Sequence, residues 1–129
     1  MITVLPVETP DSETVRLLGH TSGRVLEARE KGRLLGAMAL LEEPGQIRIA
    51  ACAVAGWDRN GQDPEAMAVG ELMVRAAASY AANRFAPRLI WNHPFSAALA
   101  RRLYFAEKEG QWLAEVSRLV RCCKNCEKT

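Results

Sequence analysis

Residues 25–54, VLEAREKGRLLGAMALLEEPGQIRIAACAV, decide the fold class of this 129-residue chain. Gly32 and the Pro44-Gly45 pair interrupt the stretch at two places, and such residues make tight turns between strands. Strands are therefore predicted at Val25–Lys31, Leu34–Glu42 and Gln46–Val54, paired as an antiparallel meander.

The second and third predicted strands differ in how their side chains alternate. Residues 34–41 are apolar on both faces of the strand, which is typical of a central strand covered by a layer on each side. In the third strand, simple alternation puts Ile47, Ile49, Ala51 and Ala53 on one face and Arg48, Ala50, Cys52 and Val54 on the other.

Outside the meander, strands and helices alternate, which predicts a mixed sheet in a three-layer α/β domain. A short helix is expected near Glu13 and a long helix from Pro64 to Phe85, with Asp63 at its N-cap and Pro64 in its first turn. Further elements are predicted as strands at Ile2–Val7, Arg88–Trp91 and from Trp112 to Val120, and as a helix from Pro94 to about Phe105 capped by Asn92 or His93.

Composition excludes several classes of function. A net charge of +2 and 6% aromatic residues do not suggest a nucleic-acid or anionic-membrane partner. The residues before Pro6 contain no basic group and no long apolar run, so no signal peptide is predicted and a cytoplasmic location is expected. Cys52 stands apart from Cys122, Cys123 and Cys126, a distribution that does not suggest a disulfide framework.

The order of elements resembles the GNAT superfamily of N-acetyltransferases from Val25 to about Arg121. The similar phrases are Glu43-Pro44-Gly45-Gln46-Ile47 at a turn, Ala53-Val54 at a strand end, Gly70-Glu71-Leu72-Met73 in the long helix, Ile90-Trp91-Asn92 at the next strand end, and Phe105. The resemblance implies a single domain over residues 1–121, followed by a cysteine-containing tail at 122–129. It also implies a mixed, mainly antiparallel sheet with helices on both faces.

The resemblance further implies a site for acetyl-CoA. The pantetheine arm would pair with the strand edge at Ala53, Val54 and Ala55. Asn92 could hold a ligand amide, or it only caps the following helix. The pyrophosphate would lie on backbone N–H groups near the start of the long helix, where the helix dipole favours anions. Two assignments of that cradle remain open. One is the segment Ala68-Val69-Gly70, with Glu65 at its first motif position, and the other is Arg59-Asn60-Gly61-Gln62, before the helix.

Two candidates for proton transfer follow from residue type and place. His93 lies at a strand-to-helix junction and could act as a base, or it simply begins the helix. Tyr104 could donate a proton, or it only packs near the helix end. Acetyl transfer to an amine needs mainly positioning, a polarising N–H group and removal of one proton, so ordered water is a third option.

The sequence therefore predicts an acetyl-CoA-dependent N-acetyltransferase acting on a small-molecule amine or a peptide amino group. The alternative is a catalytically inactive GNAT-fold module for binding or assembly, in which the final strand serves a homodimer. The thiols of Cys122, Cys123 and Cys126 supply three local zinc ligands where a structural site needs four. A second copy could complete that site, or the thiols stay reduced and unliganded.

Overall fold

The computed structural model describes residues 1–19, 23–57 and 63–120, and its strands form one seven-stranded sheet. The strands are β1 (Thr3–Val7), β2 (Arg24–Glu30), β3 (Arg33–Glu43), β4 (Gln46–Val54), β5 (Arg88–Trp91), β6 (Ala106–Lys108) and β7 (Gln111–Glu115). The helices are α1 (Ser12–Leu18), α2 (Pro64–Asn83), α3 (Ala97–Arg102) and α4 (Val116–Leu119). No helix within these ranges is long and apolar enough to cross a bilayer.

The sheet is mixed, with the order β1-β2-β3-β4-β5-β7-β6. Its one parallel pair in the described chain is β4 with β5, because α2 returns the chain between them, and the other neighbours are antiparallel. The main core lies between the sheet and α2, and α3 and α4 contribute Leu99 and Leu119 to it. On the opposite face Leu18 of α1 packs over Val25, Ala37 and Ala39. The predicted fold class is confirmed.

A β-bulge in β4 corrects the predicted assignment of its faces. Ala39 pairs with Ala51 and Leu40 pairs with Ile49, so Ala50 is one extra residue with no partner on β3. Because side chains alternate with a period of two, one extra residue exchanges the faces of everything beyond it. Ile47 and Ile49 face α2, and beyond the bulge Cys52 and Val54 face α2 while Ala51 and Ala53 face α1.

The C-terminal third also differs from the prediction. Helix α3 begins at Ala97 rather than Pro94, because the Ser96 hydroxyl accepts the Leu99 N–H at 3.1 Å and forms the N-cap in place of Asn92 or His93. Sequence reasoning missed β6, which pairs with β7 across Glu109 and Gly110, both with positive φ. That pattern is the signature of a type I′ hairpin turn.

The predicted final strand ends early, at Glu115. The Val116 N–H donates to the Pro87 carbonyl at 2.9 Å, which continues the register of β7 with β5 by one pair. The ladder stops there because proline has no N–H to donate in return, and α4 begins at this residue. Alternating apolar residues at 112, 114 and 116 and a buried Leu119 fit a strand and a following helical turn equally well up to that point. The spacing of the apolar residues therefore could not predict that the strand ends at Glu115.

Helix α1 is fixed to the sheet by a buried polar contact. Asp11 caps it by accepting the Thr14 N–H at 3.0 Å. The Thr14 hydroxyl donates to the Glu27 carboxylate at 2.6 Å, and Arg29 donates to the other oxygen of Glu27 at 2.8 Å. Since Thr14 and Glu27 are both buried, each needs the other to satisfy its polar atoms.

Candidate functional site

A gap opens in the sheet where β4 and β5 stop pairing. The last paired residues are Ile49 on β4 and Trp91 on β5, yet β4 continues to Val54. The bulged residue, Ala50, comes directly after the last pair, so it has no pairing partner on either neighbouring strand. Bulges bend a strand and increase its twist, which accounts for the splaying of β4 from β5 at this residue.

The backbone groups that face the gap belong to Cys52 and Val54. The Ala55 N–H donates to the Leu35 carbonyl on β3 at 2.8 Å. Because backbone groups alternate between the two edges of a strand, Ala53 also points to β3, while the N–H groups of Cys52 and Val54 point to the opposite edge. The Val54 carbonyl already accepts the Trp57 N–H at 3.2 Å, so among the described residues the groups left without a partner are both N–H groups and the Cys52 carbonyl.

This geometry corrects the predicted edge of Ala53, Val54 and Ala55, because Ala53 and Ala55 face β3 and only Val54 faces the gap, together with Cys52, which sequence reasoning missed. Only the bulge could have indicated Cys52, and the small residues around Ala50 do not reveal a bulge in the sequence. The Cys52 side chain packs against the main core, and burial raises the pKa of its thiol to about 12. The thiol is therefore neutral near pH 7 and is a poor nucleophile, although it lies beside the gap.

The start of α2 carries acidic groups rather than a phosphate cradle. Asp63 accepts the Glu65 N–H at 3.1 Å, and the Met67 N–H already donates to the Asp63 carbonyl at 3.0 Å. Ala68, Val69 and Gly70 lie in the second turn, where backbone N–H groups are used within the helix. The helix starts six residues before Gly70, so the residues that directly precede it include Arg59 and Gly61. These two lie outside the described residues.

Gly70 serves the contact between α2 and the segment that leads into α3. A Cβ atom added there would lie 2.5 Å from Cζ of Phe95 and 2.8 Å from Cδ2 of Leu99. The absence of a side chain therefore lets both residues approach the helix backbone. Gly70 is buried, and the structure accounts for it by this packing contact.

An aromatic group extends from the end of β4 to the end of β5. Phe95 makes edge-to-face contacts with Trp57, at 5.0 Å between ring centroids, and with Trp91, at 5.9 Å. Trp91 also contacts Phe105 at 5.5 Å. The Trp91 side chain is completely buried, and its indole N–H has no hydrogen-bond partner within residues 1–19, 23–57 and 63–120. The rings give the gap an apolar wall on the α2 side.

Asn92 follows Trp91 and is held by Arg48 of β4. Nη1 of Arg48 donates to Oδ1 of Asn92 at 2.7 Å. The same guanidinium donates to both carboxylate oxygens of Glu43, at 2.7 Å and 3.0 Å, and Gln46 donates to Glu43 at 2.6 Å. Hydrogen bonds from Arg48 and then from Gln46 lower the pKa of Glu43 below its ordinary value. The group is therefore ionised near neutral pH and balances the charge of Arg48.

The two candidates for proton transfer lie in different places. His93 is exposed and directly follows Asn92, two residues after the last paired residue of β5. Tyr104 is half exposed at the end of α3, with φ of 69°, and Arg118 of α4 lies over its ring at 5.3 Å. Since α4 begins against Pro87, at the start of β5, Tyr104 lies toward the end of the sheet remote from the gap. Cys122, Cys123 and Cys126 lie outside the described residues.

Solved structures similar to this chain include acetyltransferases. An acetyltransferase from Bacillus subtilis in complex with CoA matches with TM-score 0.69 and 15% identity, over 89% of this chain and 99% of that one. A GNAT family acetyltransferase from Brucella melitensis in complex with acetyl-CoA gives 0.64 and 14%, over 89% and 88%. The ribosomal-protein-S18-alanine N-acetyltransferase from Escherichia coli gives 0.65 and 12%, over 90% and 94%.

No protein-family model matches the sequence, and a search of curated proteins finds no relative. The structural matches share few residues with this chain but cover nearly all of it. The chain therefore has the GNAT fold, as the sequence predicted.

Proposed function

We propose that this chain is a divergent GNAT-superfamily enzyme, an N-acetyltransferase that uses acetyl-CoA. The observation that carries the proposal is the gap beside β4, where Cys52 and Val54 have three backbone groups with no partner in the part of the chain that the structure describes. Such an edge accepts an extended chain of amides as an additional strand. A pantetheine arm has that chemistry, and several solved structures of the same fold hold CoA or acetyl-CoA.

The described residues beside the gap fit the pantetheine arm of CoA better than the start of α2 fits the phosphates of CoA. Asp63 and Glu65 make the start of α2 electrostatically unfavourable for a pyrophosphate. We therefore assign phosphate recognition to the segment that contains Arg59 and Gly61, because it joins the end of β4 to the start of α2. A guanidinium there would form charge-assisted hydrogen bonds to phosphate, and glycine permits close approach of the backbone.

Acetyl transfer from a thioester to an amine requires few catalytic groups from the protein. Acetyl-CoA supplies an acetyl group that is already activated as a thioester. The β4 edge would orient the acetyl group, and in the proposal a backbone N–H group at the bulge near Ala50 polarises the thioester carbonyl. The exposed imidazole of His93, or water, would accept the proton of the attacking amine. The acceptor is a small-molecule amine or a peptide amino group.

Calorimetry with separate parts of the cofactor tests the proposal. Folded protein is titrated with CoA, with pantetheine and with 3′,5′-ADP. We expect CoA to bind, and Arg59→Ala to weaken binding of both CoA and 3′,5′-ADP. A folded protein that binds no CoA at millimolar concentration contradicts the proposal. Release of CoA thiol from acetyl-CoA in the presence of a panel of amines then measures activity.

A second candidate is a GNAT-fold module for binding or assembly that no longer uses the cofactor. The contact between Trp57 and Phe95 favours it, because it joins the segment that follows β4 to the segment that follows β5. The acidic start of α2 favours it as well. The same titration separates the two candidates, because this one expects no binding of CoA. Sedimentation analysis would then test whether the module is a homodimer.

A further inference from the structure

We infer that Arg48 is a positioning residue, which fixes the side-chain amide of Asn92 so that its nitrogen is presented to a carbonyl group of an extended ligand in the gap. The inference rests on the proposed function, because the pantetheine arm of CoA is the ligand that has such a carbonyl. Arg48 does not itself contact this ligand in the proposal. It acts through Asn92.

The orientation of the Asn92 amide follows from the chemistry of its partner. An arginine side chain has donors and no acceptor, so the atom of Asn92 that lies 2.7 Å from Nη1 must be the oxygen. The nitrogen of the amide is then directed away from Arg48. Within the described chain this nitrogen has no hydrogen-bond acceptor. A half-buried amide therefore keeps two donors available at the residue where the gap opens.

The guanidinium is itself held firmly. Its Nε and Nη2 donate to the two oxygens of Glu43, which is the bidentate geometry that limits the freedom of an arginine most strongly. Gln46 donates to the same carboxylate and limits Glu43 in turn. Of these residues only Asn92 is outside the strands, in the bend that follows β5.

The sheet does not need this contact in order to pair β4 with β5. Backbone pairing already joins them from Gln46 and Arg88 to Ile49 and Trp91. Asn92 lies one residue beyond the last pair, so the hydrogen bond from Arg48 orders a side chain at the gap rather than another rung of the sheet. An ordered donor costs less entropy when a ligand binds than a free one does.

A double-mutant cycle on CoA affinity tests the inference. We expect Asn92→Ala to weaken CoA binding by about 3- to 10-fold, the value of one net hydrogen bond. Arg48→Met should weaken it by a similar or smaller factor. In the double variant the effect should equal that of Asn92→Ala alone, because Arg48 acts only through Asn92. Asn92→Asp keeps the oxygen that faces Arg48 and removes the donors, so it should also weaken binding.

Two controls separate positioning from a general loss of structure. Arg75→Met removes another partly buried arginine, which donates to Glu71 and to the Leu119 carbonyl far from the gap, and it should leave CoA affinity unchanged. Affinity for 3′,5′-ADP, which lacks the arm, should be the same in Arg48→Met and the original protein. A structural defect would weaken the binding of both CoA and 3′,5′-ADP.

The possible failures are distinct. Independent, additive effects of the two substitutions, or an Arg48→Met variant with unchanged CoA affinity, overturn the inference and leave the proposed function intact. A folded original protein that binds no CoA overturns both.

Discussion

Replacing Gly70 by alanine should destabilise the protein, although alanine is the better helix former. In an exposed helix interior this change gains about 1 kcal/mol. Here the new Cβ would lie 2.5 Å from Phe95 and 2.8 Å from Leu99, and overpacking of this kind costs about 1–3 kcal/mol. The ends of both side chains can shift, so we expect a net loss of about 1 kcal/mol in the free energy of unfolding.

Urea denaturation followed by tryptophan fluorescence measures this loss, since Trp57 and Trp91 both contact Phe95. The matched control is Ala68→Gly, an exposed position two residues away in the same helix, which should lose about 1 kcal/mol from helix propensity alone. Combining Gly70→Ala with Phe95→Ala should make the alanine at 70 neutral or favourable. A Gly70→Ala single variant that gains about 1 kcal/mol would refute the packing role of Gly70.

Three further changes test other parts of the structure. Phe85 is 93% exposed with φ of 58°, at the position after the α2 C-cap where glycine is usual, so Phe85→Gly should stabilise by about 1 kcal/mol and Phe85→Ala should not, as measured by urea denaturation. The Cys52 thiol has a pKa of about 12 when folded against an ordinary 9.0, so the unfolded state loses its proton first. Stability should then fall between those two pH values by up to about 1.4 kcal/mol per pH unit, and Cys52→Ala should remove that slope in urea midpoints compared across alkaline pH. The pKa of Glu43 is lowered in the folded protein, so this carboxylate stabilises the fold above its ordinary pKa of 4.5, and the stabilisation is lost as the pH falls through the folded pKa. Glu43→Gln should therefore make the melting temperature fall less steeply as the pH is lowered.

The elements with strong local signals were predictable from the sequence. The meander was readable because Gly32 and Gly45 have positive φ, as a turn between strands requires, and the apolar strands lie between them. The start of α2 was readable because the Asp63-Pro64 pair gives a cap and a fixed φ at the first helical residue. Both signals lie within a few residues of the structure that they specify.

The features that sequence reasoning missed depend on contacts between distant residues. The backbone of Tyr104 has the left-handed conformation that ends α3, and a glycine at this position would have marked the helix end in the sequence. The final strand ends at Glu115 because Pro87, which stands opposite Val116, accepts its N–H but has no N–H to donate in return. The hydrogen bond from Arg48 to Asn92 joins residues 44 positions apart, and no spacing rule predicts it.

One residue, Ala50, connects the fold to the candidate site. Without an extra residue at this point, Cys52 and Val54 would face α1, and the larger side chains would have to fit in the layer that holds Ala37 and Ala39. The bulge exchanges the faces, so the alanines of β4 match the alanines of β3 under α1. The same distortion turns β4 away from β5 after Ile49, which frees the N–H groups of Cys52 and Val54. A requirement of core packing and an opening for an extended ligand therefore have the same cause, so packing alone can maintain the gap whether or not the chain still uses a cofactor.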